Sequence, residues 1–305
     1  MGRIAFVFSG QGAQYPGMGR EIYETLPAAR AMFDRFEALR PGTLQQCFHG
    51  DSDSLKITAN TQPCMFAMEV AAAAALVAGG VRPDAVAGFS LGELSALTSA
   101  NVLEAEDGFR LVCRRGEIMQ KACEGVQSGM VAVLRLDAET VEDICKGFKN
   151  VWPVNYNCPG QISVAALKDE LPAFCAAVKE KGGRAMPLKV AGAFHSPLMA
   201  NAAQEFACEL QNVRFHAGDV CVYSDRTGLP YCGDIAELLA KQICSPVRWQ
   251  QIIEDMAAHG ADTFIEIGPG KTLCGMISRT LKSARVLHCE DMTSYNRVLA
   301  EVKSC

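Results

Sequence analysis

The chain lacks the spacings that would turn its many thiols and few imidazoles into ligands. It holds 14 cysteines and 5 histidines in 305 residues, yet no two cysteines form C-x-x-C and no two histidines form H-x-x-x-H. A metal site therefore has little support. The cysteines are scattered through helix-like and strand-like segments with no secretory leader ahead of them. They read as reduced thiols of a cytoplasmic protein, not as a disulfide framework. Long apolar runs are missing too, because the Ala-rich stretch Val70 to Ala78 follows Glu69 and is too short to span a bilayer. Positive charge is not in excess: 29 Lys and Arg against 34 Asp and Glu leave a net charge of −5, which does not describe a nucleic-acid binder. An acidic partner would need a local basic patch. Two glycine segments also fall short of nucleotide loops. Gly10-Gln11-Gly12 has no third glycine at dinucleotide spacing, and Gly270-Lys271-Thr272 would need glycine at 265, which is isoleucine.

What is present describes an ordinary globule, 49% hydrophobic and 21% charged, long enough to bury a large core. Ile4–Phe8 reads as a buried strand ending abruptly at Ser9-Gly10-Gln11-Gly12. Helical stretches at Ala28–Leu39 and Cys64–Ala78 follow, then a strand near Asp84–Phe89 and another helix. Strands alternating with helices over short glycine connections argue for an α/β fold whose parallel sheet is covered on both faces. The rhythm changes after Gly129. Strands at Met130–Leu136, Val151–Tyr156, Gln161–Leu167 and Arg184–Val190, with helices at Ala138–Phe148 and Lys168–Lys181, give the order βαββαβ of a ferredoxin-like unit. It is expected as a subdomain at 128–191 inserted into a large domain formed by 1–127 and 192–305. A strand at Thr263–Ile267 running into Gly268-Pro269-Gly270-Lys271 belongs to the large domain.

The most informative stretch is Gly88-Phe89-Ser90-Leu91-Gly92, between the apolar run Ala85-Val86-Ala87 and the helical pattern Glu93-Leu94-Ser95-Ala96-Leu97. A serine on a sharp strand-to-helix turn is lifted clear of the sheet, and the flanking glycines let the backbone fold tightly beneath it. The helix that follows points its free N–H groups at whatever the serine attacks. Such a serine needs a base. His195, in Gly192-Ala193-Phe194-His195-Ser196-Pro197, stands on a loop where an imidazole can face a cleft. The alternative is the hydrolase order of serine, acid and histidine, met here by Ser90, Asp262 and His288. Arg115, on the helical stretch Gly108–Ala122, is either a solvated charge or, if buried, a clamp for a carboxylate.

An ordered set of motifs then carries a resemblance over nearly the whole chain. It comprises Phe8-Ser9-Gly10-Gln11-Gly12-Ala13-Gln14, Thr61-Gln62-Pro63, Gly88 to Glu93, Arg114-Arg115-Gly116 and Asn155-Tyr156-Asn157-Cys158-Pro159-Gly160-Gln161. Ala193-Phe194-His195-Ser196, Ser245-Pro246-Val247-Arg248-Trp249 and Glu266-Ile267-Gly268-Pro269-Gly270 complete it. The chain resembles the malonyl-CoA:acyl-carrier-protein transacylase family, the acyltransferases of fatty acid synthesis. Stand-alone acyltransferases of polyketide synthesis are close relatives.

The resemblance implies a hydrolase-like large domain and a malonyl transfer from coenzyme A to the phosphopantetheine thiol of a holo acyl carrier protein. No cofactor is implied beyond these substrates, and the chain is expected to be a monomer. Ser90 would be the nucleophile and His195 its base. The backbone amides of Gln11 and Leu91 would form the oxyanion hole, Arg115 would pair with the malonyl carboxylate, and Gln62 and Asn157 would lie near the acyl cleft. The carbonyl of Arg248 would orient the histidine. The acidic carrier would dock on basic side chains, with Arg184, Lys189 and Lys271 as candidates. The sequence departs from the family where Phe89 replaces histidine, at Ser245 and Arg248 in the N-P-V-Q-W segment, and where Cys158 replaces serine. Phe89 removes a polar neighbour of the nucleophile, and Arg248 would disfavour protonated His195 if it faced the cleft. A serine acyl hydrolase or thioesterase, and a non-catalytic scaffold on the same fold, are the rival readings.

Overall fold

The computed structural model describes residues 2–303. Five strands form a parallel sheet: β1 (Arg3–Phe8), β2 (Ala85–Gly88), β7 (Cys221–Val222), β8 (Ala261–Ile267) and β9 (Arg285–Cys289), in the order β7-β2-β1-β8-β9. β1 is the middle strand and is buried from Ile4 to Phe8. Its unbroken apolar run follows from that place, since a central parallel strand has helices on both faces and no wet side.

The other four strands, β3 (Ser128–Leu134), β4 (Val151–Cys158), β5 (Gln161–Leu167) and β6 (Arg184–Pro187), form an antiparallel sheet in the order β4-β5-β3-β6. With the helices Ala138–Lys146 and Leu171–Glu180 they complete the ferredoxin-like βαββαβ order. This sheet is tied to the rest of the chain through Val247. Its amide donates to Val154 O at 2.9 Å, and its carbonyl accepts from Tyr156 N–H at 2.9 Å.

Several elements differ from the sequence expectation. The helix expected from Cys64 begins at Thr58 and runs to Ala78 with Pro63 inside it. Proline forfeits a helical hydrogen bond, but here both turns around it are buried against neighbouring helices, and packing outweighs the local penalty. The whole helix has 21 residues and is apolar enough to cross a membrane by composition, yet most of it is buried. A helix apolar on every side is a core helix when the fold surrounds it. Phe66 on this helix meets Phe36 at 5.5 Å between ring centroids, and Phe36 stacks on Phe109 at 4.7 Å. β2 is shorter than expected. Asp84 is drawn off to accept the Ile4 N–H at 2.8 Å, and Phe89 already belongs to the turn. β6 ends at Pro187, short of Val190.

Register places the site. Phe8 pairs with Gly88 on one side and Ile267 on the other, so β1, β2 and β8 end level. The segments after them, Ser9–Gly12, Phe89–Leu91 and Gly268–Gly270, therefore emerge at one carboxyl edge, the edge where parallel α/β sheets bind ligands. The turn after β2 admits no side chain. A Cβ on Gly88 would lie 1.9 Å from the Gly92 carbonyl, and one on Gly92 would lie 2.5 Å from Phe8 O. Gly88→Ala should therefore lower unfolding stability by roughly 3 kcal/mol or more. Gly182→Ala serves as the control: its φ is 81° but nothing lies within 4 Å of the added Cβ, so the cost should stay near 1 kcal/mol. Urea midpoints measure both, and equal losses would show that the turn is not close-packed.

Candidate active site

Ser90 sits just past β2 with φ 57°, in the left-handed region that non-glycine residues seldom occupy. Two buried side chains hold it there. Its N–H donates to Asp225 Oδ2 at 2.6 Å, and its carbonyl accepts from Gln242 Nε2 at 2.7 Å. The conformation aims Oγ away from the sheet and starts the helix Gly92–Ser99 directly behind it. Among the described residues, neither the Leu91 N–H nor the Gln11 N–H has an acceptor within the protein. Both donors stand on the turns beside Ser90.

His195 lies on the loop between β6 and the helix Ala200–Leu210, also with positive φ, 61°. Ser196 Oγ donates to Ala193 O at 2.6 Å, and Ala193 N–H donates to Ser128 Oγ at 3.2 Å, which fixes the loop. The imidazole Nε2 is 2.7 Å from Ser90 Oγ, and Nδ1 is 3.0 Å from the Gln242 carbonyl. A carbonyl only accepts, so Nδ1 carries the hydrogen and Nε2 presents its lone pair to the serine. Burial and the positive charge of Arg115 push the imidazole down to about 4. It is therefore neutral, and able to accept a proton, at any ordinary pH.

Arg115 projects from the helix Ala105–Ala122 and is 1% exposed. Nη1 donates to Gln62 Oε1 at 2.9 Å, and Nη2 donates to Gln242 Oε1 at 2.8 Å and to Ser90 Oγ at 3.3 Å. Its Nε–H is buried without a partner. Every hydrogen-bond partner of this cation is a neutral oxygen. Desolvation by burial lowers it to about 10, against the pull of Glu93 and Asp225, and it stays charged.

The structure corrects one assignment and discourages another pairing. The carbonyl on His195 Nδ1 is that of Gln242, not Arg248. Arg248 O instead accepts from Ile252 N–H at the start of the helix Trp249–Ala258, and its exposed guanidinium donates to Arg226 O, away from the imidazole. Gln242 is the last residue of the helix Ile235–Gln242. Its carbonyl also accepts from Ser245 N–H at 3.2 Å; a carbonyl has two lone pairs, and one at a helix C-terminus carries partial negative charge, so this one suits an imidazole N–H as well. Asp262 stands at the start of β8 and Ser90 follows the end of β2, a separation of roughly 16 Å along the sheet at 3.3 Å per residue. His288 lies on β9 with Nε2 3.7 Å from Glu290 Oε1. Asn157, on β4, donates to Ser163 Oγ at 3.2 Å, and no hydrogen bond joins it to Ser90, His195 or Arg115. Phe89 is packed edge-on against Trp249, with ring centroids 5.5 Å apart.

Gln242, Asp225 and Tyr231 escaped sequence reasoning. None lies in a recognisable motif, although Gln242 stands only three residues before Ser245.

An elbow serine meeting an imidazole at the carboxyl edge of a parallel sheet defines an α/β protein of the serine acyl-transferring class. The chain belongs to the acyl transferase family, whose acyl transferase domain matches residues 5–302. It is 36% identical over 311 residues to the malonyl CoA-acyl carrier protein transacylase of Bacillus subtilis (strain 168), covering 99% of this chain and 98% of that protein. The crystal structure of the malonyl CoA-acyl carrier protein transacylase from Clostridium perfringens superposes with a TM-score of 0.95 at 36% identity, covering 99% and 98%. A chain from the structure of a type II polyketide synthase acyl-carrier protein in complex with its malonyl-transacylase superposes with a TM-score of 0.94 at 31% identity, covering 98% of this chain and 99% of that one.

Because Arg115 adds to burial in holding the imidazole down, Arg115→Ala should raise the His195 pKa from about 4 part of the way toward its ordinary value. Ring proton shifts followed by NMR through an acid titration read this directly. An unmoved midpoint would mean that burial alone sets the value.

Proposed function

We propose that this protein transfers a malonyl group from malonyl-CoA to the phosphopantetheine thiol of a holo acyl carrier protein, through an ester on Ser90, for fatty acid synthesis. The observation that carries the reading is a single oxygen, Ser90 Oγ. It lies 2.7 Å from His195 Nε2 and 3.3 Å from a buried guanidinium whose other hydrogen-bond partners are amide oxygens.

In the first half-reaction Ser90 Oγ attacks the thioester carbonyl while His195 Nε2 takes its proton. The Leu91 and Gln11 amides stabilise the oxyanion. The C–S bond then breaks, and coenzyme A leaves as a thiol with the proton from His195. In the second half-reaction the carrier thiol gives its proton to His195 and attacks the Ser90 ester, and the proton returns to Oγ. A base held near 4 is weak. A reactive thioester and a thiol leaving group ask less of it than an amide would, and the guanidinium beside Oγ favours the alkoxide. Arg115 gains its first direct ionic partner when the malonyl carboxylate arrives, which fixes the acyl group and selects for its charge. Gln62 orients the guanidinium, and Asn157 lines the acyl side of the cleft from the 128–191 subdomain. An acidic carrier docks on the exposed Arg184, Lys189 and Lys271. The enzyme works as a monomer in the cytoplasm and needs no group beyond its two substrates.

One observation keeps a second reading open. The superposed polyketide complex pairs the same fold with a polyketide carrier, and assays with both carrier types decide between the pathways.

Arg115→Ala should depress malonyl transfer about 100-fold more than it depresses acetyl transfer, the differential loss expected for one charge-assisted pair. Equal losses with both donors would refute the clamp. Intact-mass analysis after incubation with malonyl-CoA should show an acyl adduct that Ser90→Ala abolishes. His195→Ala should slow adduct formation by roughly 10²–10⁴-fold. His288→Ala should leave it unchanged, and the reverse outcome would favour the hydrolase reading.

A further inference from the structure

Beneath Ser90 lies a buried polar cluster that the transfer steps above do not use. Glu93 and Asp225 are both fully buried. Gln242 stands between them and Arg115: its Oε1 accepts from the guanidinium, while its Nε2 donates to Glu93 Oε2 at 2.7 Å and Asp225 Oδ2 at 3.2 Å. The amide thereby holds the cation off both carboxyl groups.

The two acids are not equivalent. Glu93 accepts from three donors: the Tyr231 hydroxyl at 2.5 Å, Asp225 N–H at 3.2 Å and Gln242. Asp225 Oδ2 accepts from Ser90 N–H and Gln242, but its Oδ1 is buried with no partner. An ionised carboxylate with one bare, buried oxygen is costly, whereas the protonated acid is tolerated. Asp225 is therefore the neutral member and Glu93 the anion. With Arg115 cationic and His195 neutral, the cluster of Arg115, His195, Glu93 and Asp225 carries no net charge.

A carboxylate brought in by an acyl group would leave this interior with a net negative charge. We propose that Glu93 is the internal counter-ion of Arg115 and takes up a proton when the substrate carboxylate pairs with that guanidinium. Binding of a malonyl donor is then coupled to proton uptake, and binding of an uncharged acyl donor is not. The proton comes from water or a buffer acid and ends on a Glu93 oxygen, with no other bond changed. The Tyr231 hydroxyl donates to Glu93 and is its nearest protic neighbour. Burial already lifts Glu93 to about 7 and Asp225 well above its ordinary range, so Glu93 stands where one added anion tips it. The charged and titratable groups facing it are Asp225, Tyr231 and Arg115, with His195 one bond further through Gln242. On the same helix, Ser95 donates instead to Glu69, a separate buried acid beside Glu266.

This inference rests on the malonyl-transfer reading, and its test separates the two. Ser90→Ala protein is titrated calorimetrically with malonyl-CoA and with acetyl-CoA at pH 7.5, in buffers of different ionisation enthalpy. Malonyl-CoA should take up more protons than acetyl-CoA, by up to about one, and Glu93→Gln in the same background should remove the difference. Should Glu93→Gln fail to fold, wild-type kinetics give a second reading. The ratio of KM for malonyl-CoA to KM for acetyl-CoA should rise between pH 7 and 9, by up to about tenfold per unit. Equal proton counts for the two donors, a difference that survives Glu93→Gln, or a flat KM ratio would each overturn the coupling. Failure of wild-type Ser90 to acquire a malonyl ester would instead sink the transfer reading itself.

Discussion

The left-handed backbone of Ser90 is pinned between Asp225 and Gln242, and the rest of the site is arranged around that constraint. Without these bonds the serine would relax toward an ordinary conformation and its hydroxyl would leave the imidazole. Gln242 carries the larger share. Its side chain bonds the Ser90 carbonyl, the Arg115 guanidinium and both buried acids, while its backbone carbonyl bonds His195. One residue at a helix end thus fixes the spatial relation of nucleophile, base and cation.

That arrangement replaces the acid of a hydrolase triad with a peptide dipole. A carboxylate behind the histidine would raise its basicity. A carbonyl fixes the tautomer without adding charge, and burial, helped by the neighbouring guanidinium, keeps the imidazole neutral. The same guanidinium is left without a direct anionic partner in the protein. For the proposed transfer, weak basicity and an available cation belong together, because both follow from burying His195 and Arg115 side by side at the serine.

Legibility in the sequence varied with the reach of the interaction involved. The turn around Ser90 was readable because Gly88 acts within five residues, a Cβ there being excluded by the Gly92 carbonyl at 1.9 Å, whereas the constraint on Gly92 comes from Phe8 O on β1 at 2.5 Å and is tertiary. The βαββαβ order of residues 128–187 was readable because strand and helix periodicities differ. The helix start at Thr58 was missed because the burial that overrides Pro63 comes from other helices. The His195 carbonyl was misassigned to Arg248 because the true partner depends on where the helix Ile235–Gln242 ends, 47 residues from the histidine.

By itself the sequence determined the alternation of elements, the elbow and the residue types able to move an acyl group, since these depend on short-range sterics and periodicity. Only the tertiary structure decided which carbonyl holds the base, that Arg115 is buried rather than solvated, and that two acids lie beneath the nucleophile. Those outcomes depend on level strand ends and on side chains from distant segments meeting where water is excluded, which no local pattern encodes.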